Sequence, residues 1–214
     1  MCEVPHRMRL KIAVFVLIGA TALLAPVRGN ADIPKTEKQP YAAPRDQALL
    51  VFKRPRQRQA SETDFRIVDQ GGRCLAMLRN DWQVAVPVWP GKQMLLIITG
   101  TTPPTVQLIE AKVSGGKTYV VELRARVNVK RPVDIEVIRR ADQPLEAFPP
   151  EVREKSPFQE DLRKCTEWVS WKRPRIEPKA EMAKSEWDDA GEERRAAHTI
   201  RRNDGWRVDE IYGP

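Results

Sequence analysis

The chain has 214 residues, with 37 Lys and Arg against 29 Asp and Glu, a net charge of +8. Four basic residues and one acid lie before residue 32, so the remainder carries 33 basic against 28 acidic residues, a net of +5, without the aromatic-interleaved basic array that nucleic acid requires. Beyond that point there is one histidine, His198, and two cysteines with no CxxC, so neither a metal ligand set nor a cofactor is expected.

Residues 1–31 read as an export signal. Arg7, Arg9 and Lys11 form a positive start, Ile12 to Leu24 an apolar stretch shorter than the ~20 residues of a membrane-spanning helix, and Gly29-Asn30-Ala31 a small-residue cleavage site. A periplasmic or secreted location follows; an uncleaved anchor, with membrane contact, is the alternative. Residues 32–47 are polar and proline-punctuated, as expected of a linker.

From Ala48 to Arg140 the chain offers short apolar segments at regular spacing, "ALLVFKR", "DFRIVD", "RCLAML", "WQVAVPV", "QMLLIIT", "TVQLIEAKV", "KTYVVELRARV" and "VDIEVIR", with turn residues between them. Strands without an intervening helical period predict a mainly β fold, an immunoglobulin-like or prealbumin-like antiparallel β-sandwich spanning 48–140. "DQGG" at 69–72 predicts a hairpin and "RND" at 79–81 a tight reversal. In the Lys117 strand, Tyr119, Val121, Leu123, Ala125 and Val127 alternate as a buried face, while Val120, Glu122, Arg124 and Arg126 are expected in water. Pro87 cannot donate a ladder hydrogen bond, which places its strand at an edge or a bulge. Pro90-Gly91 suits a type II turn closing a hairpin between the Val84 and Met94 strands.

Residues 141–157 form a proline-rich connector, and 158–214 a helical, charge-rich extension. Leu162, Cys165 and Val169 predict a short amphipathic helix, "KRPRIEPK" at 172–179 breaks it twice, and Ala180, Ala183, Trp187 and Ala190 then make only a thin apolar stripe. That last segment reads as a loose tail, or, given Trp187 and Trp206 in polar surroundings, as a partner-binding one. Cys74 and Cys165 either form a disulfide in an oxidising compartment or remain two buried thiols.

Three stretches carry a resemblance: "ALLVFKRP" at 48–55, "DFRIVDQGGRCLAMLRNDWQVAVPVWPGKQMLLI" at 64–97 and "LIEAKVSGGKTYVVEL" at 108–123. Together they resemble a family of bacterial envelope β-domains of unknown function, prealbumin-like or PEGA-like sandwiches often found in lipoproteins, with a "PGK" turn and a "GKxYxV" closing strand. The resemblance implies a sandwich without known catalysis and so transfers no catalytic residues. The chain departs from the lipoprotein members in having no cysteine after the apolar stretch to carry lipid.

The leading expectation is thus an exported, noncatalytic interaction or structural module of the cell envelope with an envelope protein as partner. A glycan or peptidoglycan binder is the alternative, with Trp82 and Trp89 stacking on sugar rings and Arg54, Arg56 and Arg58 pairing with anionic groups. An envelope hydrolase ranks below both, since a nucleophile and base must meet in space and the Asp and Glu residues are scattered.

Overall fold

The computed structural model describes residues 39–100, 103–126, 132–159 and 161–213. Residues 1–31, expected to be an export signal, and residues 32–38 of the expected linker lie outside them. Among the described residues no helix is long and apolar enough to cross a membrane.

Among the described residues ten strands build two sheets facing each other. The first contains β1 (Ala48–Lys53), β4 (Gln83–Val88), β7 (Lys117–Ala125), β8 (Val133–Ile138) and β10 (Trp206–Arg207). The second contains β2 (Phe65–Asp69), β3 (Cys74–Leu78), β5 (Gly91–Thr99), β6 (Val106–Val113) and β9 (Thr199–Ile200). In the first sheet β1 lies between β4 and β7, while β8 and β10 share the other side of β7. In the second the order is β3-β2-β5-β6-β9. The mainly β, two-sheet architecture with a helical C-terminal part is the expected one, but each sheet is mixed: β1 runs parallel to β7 and β9 parallel to β6.

Period-two alternation sends one row of each strand from β1 to β9 into the space between the sheets. Leu50, Phe52, Val86, Tyr119, Val121 and Leu123 from one side meet Phe65, Ile67, Leu78, Leu95, Ile97 and Ile109 from the other in a single cluster. Tight turns sit where expected. Gly72 takes a φ of +82° in the β2–β3 hairpin, and Asp81, at φ 62°, helps Trp82 N–H reach Arg79 C=O across the 79–81 reversal.

The expected Val84–Met94 hairpin does not form. Across Pro90 and Gly91 (φ +124°) the chain changes sheet instead, β4 pairing with β1 and β5 with β2 and β6. The reason is that both strands have inward apolar rows, and each completes a different wall of the core. β4 does lie at an edge, with Pro87 opposite Leu49.

Both outer faces are also covered, which corrects four expectations. On the first sheet, Val120 and Glu122 are buried rather than water-facing. Val120 joins Tyr41, Leu49, Val51, Phe148, Val152, Trp206 and Ile211 in a second cluster built by α1 (Pro150–Arg153), β10 and α4 (Val208–Tyr212). Glu122 is held by Lys53 at 2.8 Å and by Arg124. Tyr41, read as linker, is fully buried: its carbonyl accepts from Thr118 Oγ1 at 2.7 Å, and its hydroxyl lies between Gln83 and the Lys155 carbonyl. Burial, partly opposed by the Gln83 hydrogen bond, raises that phenol well above its ordinary value.

On the second sheet lies α2 (Leu162–Asp188), one helix of 27 residues rather than two broken pieces. Asp161 caps its start by accepting from Arg163 N–H at 2.9 Å. Buried Ile176 joins the two stripes seen in the sequence into one, running from Leu162, Cys165 and Val169 through Ala180 and Ala183 to Trp187 and Ala190. Pro174 and Pro178 sit on the exposed side, as does Ser170; the Ser170 and Pro174 carbonyls are the two that lose a helical donor there. Cys74 and Cys165 form a disulfide, Cα atoms 6.0 Å apart, fastening α2 to β3. The residues expected to form a loose tail are folded back: α3 (Glu192–Ala197) leads into β9, and Ile200 and Trp206 are fully buried.

Candidate functional site

The five residues singled out for binding do not converge. Trp82 and Trp89 flank β4 at opposite ends, seven residues or about 23 Å apart along an extended strand. Trp82 is half-buried, stacked on Phe158 with ring centroids 3.8 Å apart and Arg79 4.9 Å above it. Trp89 is 55% exposed. Arg54 is buried; its guanidinium donates to the carbonyls of Ala60, at 2.7 Å, and Thr63, and lies 4.7 Å over the Phe65 ring. Burial pulls it below its ordinary value against the opposing Asp64 charge, and its bonds shape the loop between β1 and β2. Arg56 and Arg58 are exposed on that loop. Among the described residues no three His, Cys, Asp or Glu side chains gather to hold a metal.

A different place draws side chains from distant segments together. Where the second half of α2 overhangs the outer strands of the second sheet, a cleft of about 220 Å³ opens between helix and strand. Its floor is the start of β6 and the residues before it, Pro104 to Leu108, with Pro132 at one side. Its wall is the α2 face carrying Lys179, Met182, Ala183, Glu186 and Trp187, and its far end is closed by Arg194 of α3 and by His198.

Local sequence explains this arrangement. β6 pairs with β5 along its whole length, but β9 covers its other edge only at Glu110 and Ala111. Before Thr199 the chain turns away into α3, so the β6 edge beside Val106 and Leu108 borders the cleft. Gln107 turns its amide to the Val133 carbonyl at 2.9 Å, tying β6 to β8 across the sandwich margin. Thr99 and Thr105 hold the approach to β6 with hydroxyls 3.0 Å apart.

The cleft is mixed in character. Met182 (48% exposed), half-buried Trp187, Pro104 and Leu108 supply apolar surface, while Lys179 and Arg194 bring positive charge with Glu186 3.4 Å from Arg194. Just past it Glu110 is gripped by Lys112 at 2.6 Å and Lys92 at 3.1 Å; burial pushes its carboxyl up, but the two ammonium groups more than reverse that and hold it below its ordinary value. At about 220 Å³ the cleft is smaller than the roughly 300–1,000 Å³ typical of small-molecule sites, and it is open along a strand.

Sequence reasoning named Trp187 as a residue out of keeping with its surroundings but not Lys179, Met182 or Arg194. Their meeting with β6 depends on an unbroken α2 and on the return of the chain through α3. No protein-family model matches the chain, and no curated protein matches it.

Proposed function

We propose that the chain is an exported, noncatalytic interaction module of the cell envelope that binds a partner protein through the cleft between α2 and β6. The observation that carries this reading is the cleft itself: an apolar helix face and a strand margin left side by side and rimmed by cations. The disulfide supports export, because such bonds persist in oxidising compartments. Two sheets, a staple and covered outer faces suit a rigid scaffold that presents one recognition margin.

The test is a comparison of partner recovery from the native envelope by the wild-type chain and by a Met182→Arg, Trp187→Arg variant that keeps the same circular dichroism. Specific partners lost with the variant support the reading; recovery indifferent to those substitutions removes the cleft from it.

A second reading, glycan binding, is favoured by the exposed Trp89 ring at the end of β4. It requires that cosedimentation with peptidoglycan fall when Trp89 is replaced by alanine, and unchanged cosedimentation rejects it.

A further inference from the structure

We propose that the occupant of the cleft is an extended acidic segment of a partner protein, added as a strand to the β6 edge beside Val106 and Leu108; this deepens the interaction-module reading and rests on it. The first support is backbone polarity. Glu110 N–H donates to His198 C=O, so the main-chain groups of Glu110 face the β9 side. Along a strand those groups alternate in direction, and Thr105 C=O, of the other parity, is bonded by Thr99 N–H on the β5 side. Val106 and Leu108 share the parity of Glu110, and each therefore directs one donor and one acceptor toward the cleft, on the stretch that β9 does not reach. His198 N–H turns to Arg195 C=O rather than continuing the ladder.

The second support is shape. From Thr105 to Leu108 the uncovered edge runs four residues, about 13 Å, in line with β9 and beneath α2. A strand laid there sends alternate side chains toward Met182 and Trp187. Hydrogen bonds to the edge give affinity and the helix-facing side chains give selectivity, which is how strand addition works where an exposed edge meets a groove. The small volume admits a chain with a few side chains more readily than a cofactor.

The third support is charge. Lys179 forms no ion pair among the described residues, and the only ion pair of Arg194 among them is with Glu186, at the long distance of 3.4 Å. With two cations set against the single carboxylate of Glu186, the walls favour carboxylates over ammonium groups, in keeping with the net charge of +5 carried by residues 32–214. A nucleic acid is disfavoured by the apolar floor, and a second copy of this chain by its own positive charge.

The experiment uses the full chain and a fluorescein-labelled octapeptide of alternating valine and glutamate, read by fluorescence anisotropy. Saturable binding is expected, at least tenfold weaker for the valine–lysine counterpart. Methylating the backbone nitrogens on one edge of the peptide strand should weaken binding at least tenfold, whereas methylating the opposite edge should leave it within twofold. A Lys179→Glu, Arg194→Glu variant, shown folded by an unchanged melting temperature, should reverse the preference between the two peptides. Equal binding of both methylated forms overturns strand addition, and indifference to peptide charge overturns the acidic identity. Concentration-dependent dimerisation abolished by the charge variant overturns the proposal in favour of a second copy.

A photo-crosslinker at position 182 in the native envelope separates the two levels of failure. A protein captured there while every peptide fails rejects the acidic strand and leaves the module reading standing. Neither capture nor peptide binding removes both.

Discussion

Replacing Cys74 and Cys165 together by alanine tests how α2 is kept on the sandwich. The bond spans a sequence separation of 91. In the chain-entropy account a loop of that size restricts the unfolded chain by about 4.6 kcal/mol at 25 °C. For a body of this length each kcal/mol moves the midpoint by roughly 2–4 °C, so calorimetry should show a fall of roughly 9–18 °C. The helix should stay docked below the new midpoint, because Val169, Ile176 and Trp168 remain packed on Val68, Met77 and Ile98, and Arg66 still lies 3.8 Å over the Trp168 ring. Hydrogen exchange over 162–188 should therefore be unchanged at 25 °C. A fall of less than about 3 °C, or an α2 that exchanges freely while the sheets remain protected, refutes the reasoning: the first outcome denies the constraint on the unfolded state, and the second shows that packing alone does not hold the helix.

Trp206→Ala removes a fully buried ring set edge-on to Phe148 at 5.3 Å, together with the indole donor to the Glu146 carbonyl at 2.8 Å; a urea melt should show a loss of about 3–5 kcal/mol, and less than 1 would mean that the returning C-terminal part adds little. Gly205→Ala places a methyl group 2.6 Å from the Tyr119 ring, and overpacking there should cost about 1–3 kcal/mol in the same assay, with a neutral result showing that the ring yields freely. Glu110 and Glu151 are held below their ordinary values by their lysine partners, burial opposing in each case. Their stabilising share is present above the unfolded value near 4.5 and is lost as pH falls through the lower folded values. Unfolding midpoints from pH 6 to 2.5 should therefore decline less steeply below pH 4.5 in a Lys92→Met, Lys112→Met variant, and parallel curves reject that assignment.

The inward rows of the strands were legible because alternation is a local property: Tyr119, Val121, Leu123 and Ala125 declare their side by sequence alone. The outer row of the same strand was not, since nothing near Val120 or Glu122 announces that Trp206, Val152 and Ile211 come back from far along the chain to cover them. Strand identity was visible and strand pairing was not, because pairing depends on which of two apolar faces meets which wall; the Pro90-Gly91 corner looks the same whether it joins neighbours in one sheet or passes between sheets. Pro174 and Pro178 argued for two breaks on local grounds. They are tolerated because they are four residues apart on the wet side, while Ile176 and the disulfide anchor the dry side. The candidate site suffered from the same limit: Trp82 and Trp89 were noticed as large rings, whereas the cleft needs a continuous α2 and a short β9 at once, neither of which a local pattern encodes.

Tyr41 N–H donates to the Tyr212 hydroxyl at 2.9 Å, and Tyr41 shares a cluster with Trp206 and Ile211, so the first and last parts of the described body meet on the first sheet. Tension drawn between these two parts falls on that bond and on the contacts of Tyr41 with Thr118 of β7 and Gln83 of β4. Next in line stands the two-residue ladder of Trp206 and Arg207 on β7, which such a pull opens bond by bond rather than by sliding whole strands past one another. The expected outcome of pulling on those two parts is that the C-terminal turn opens before the inter-sheet core, and a force-extension trace in which the core yields first rejects it.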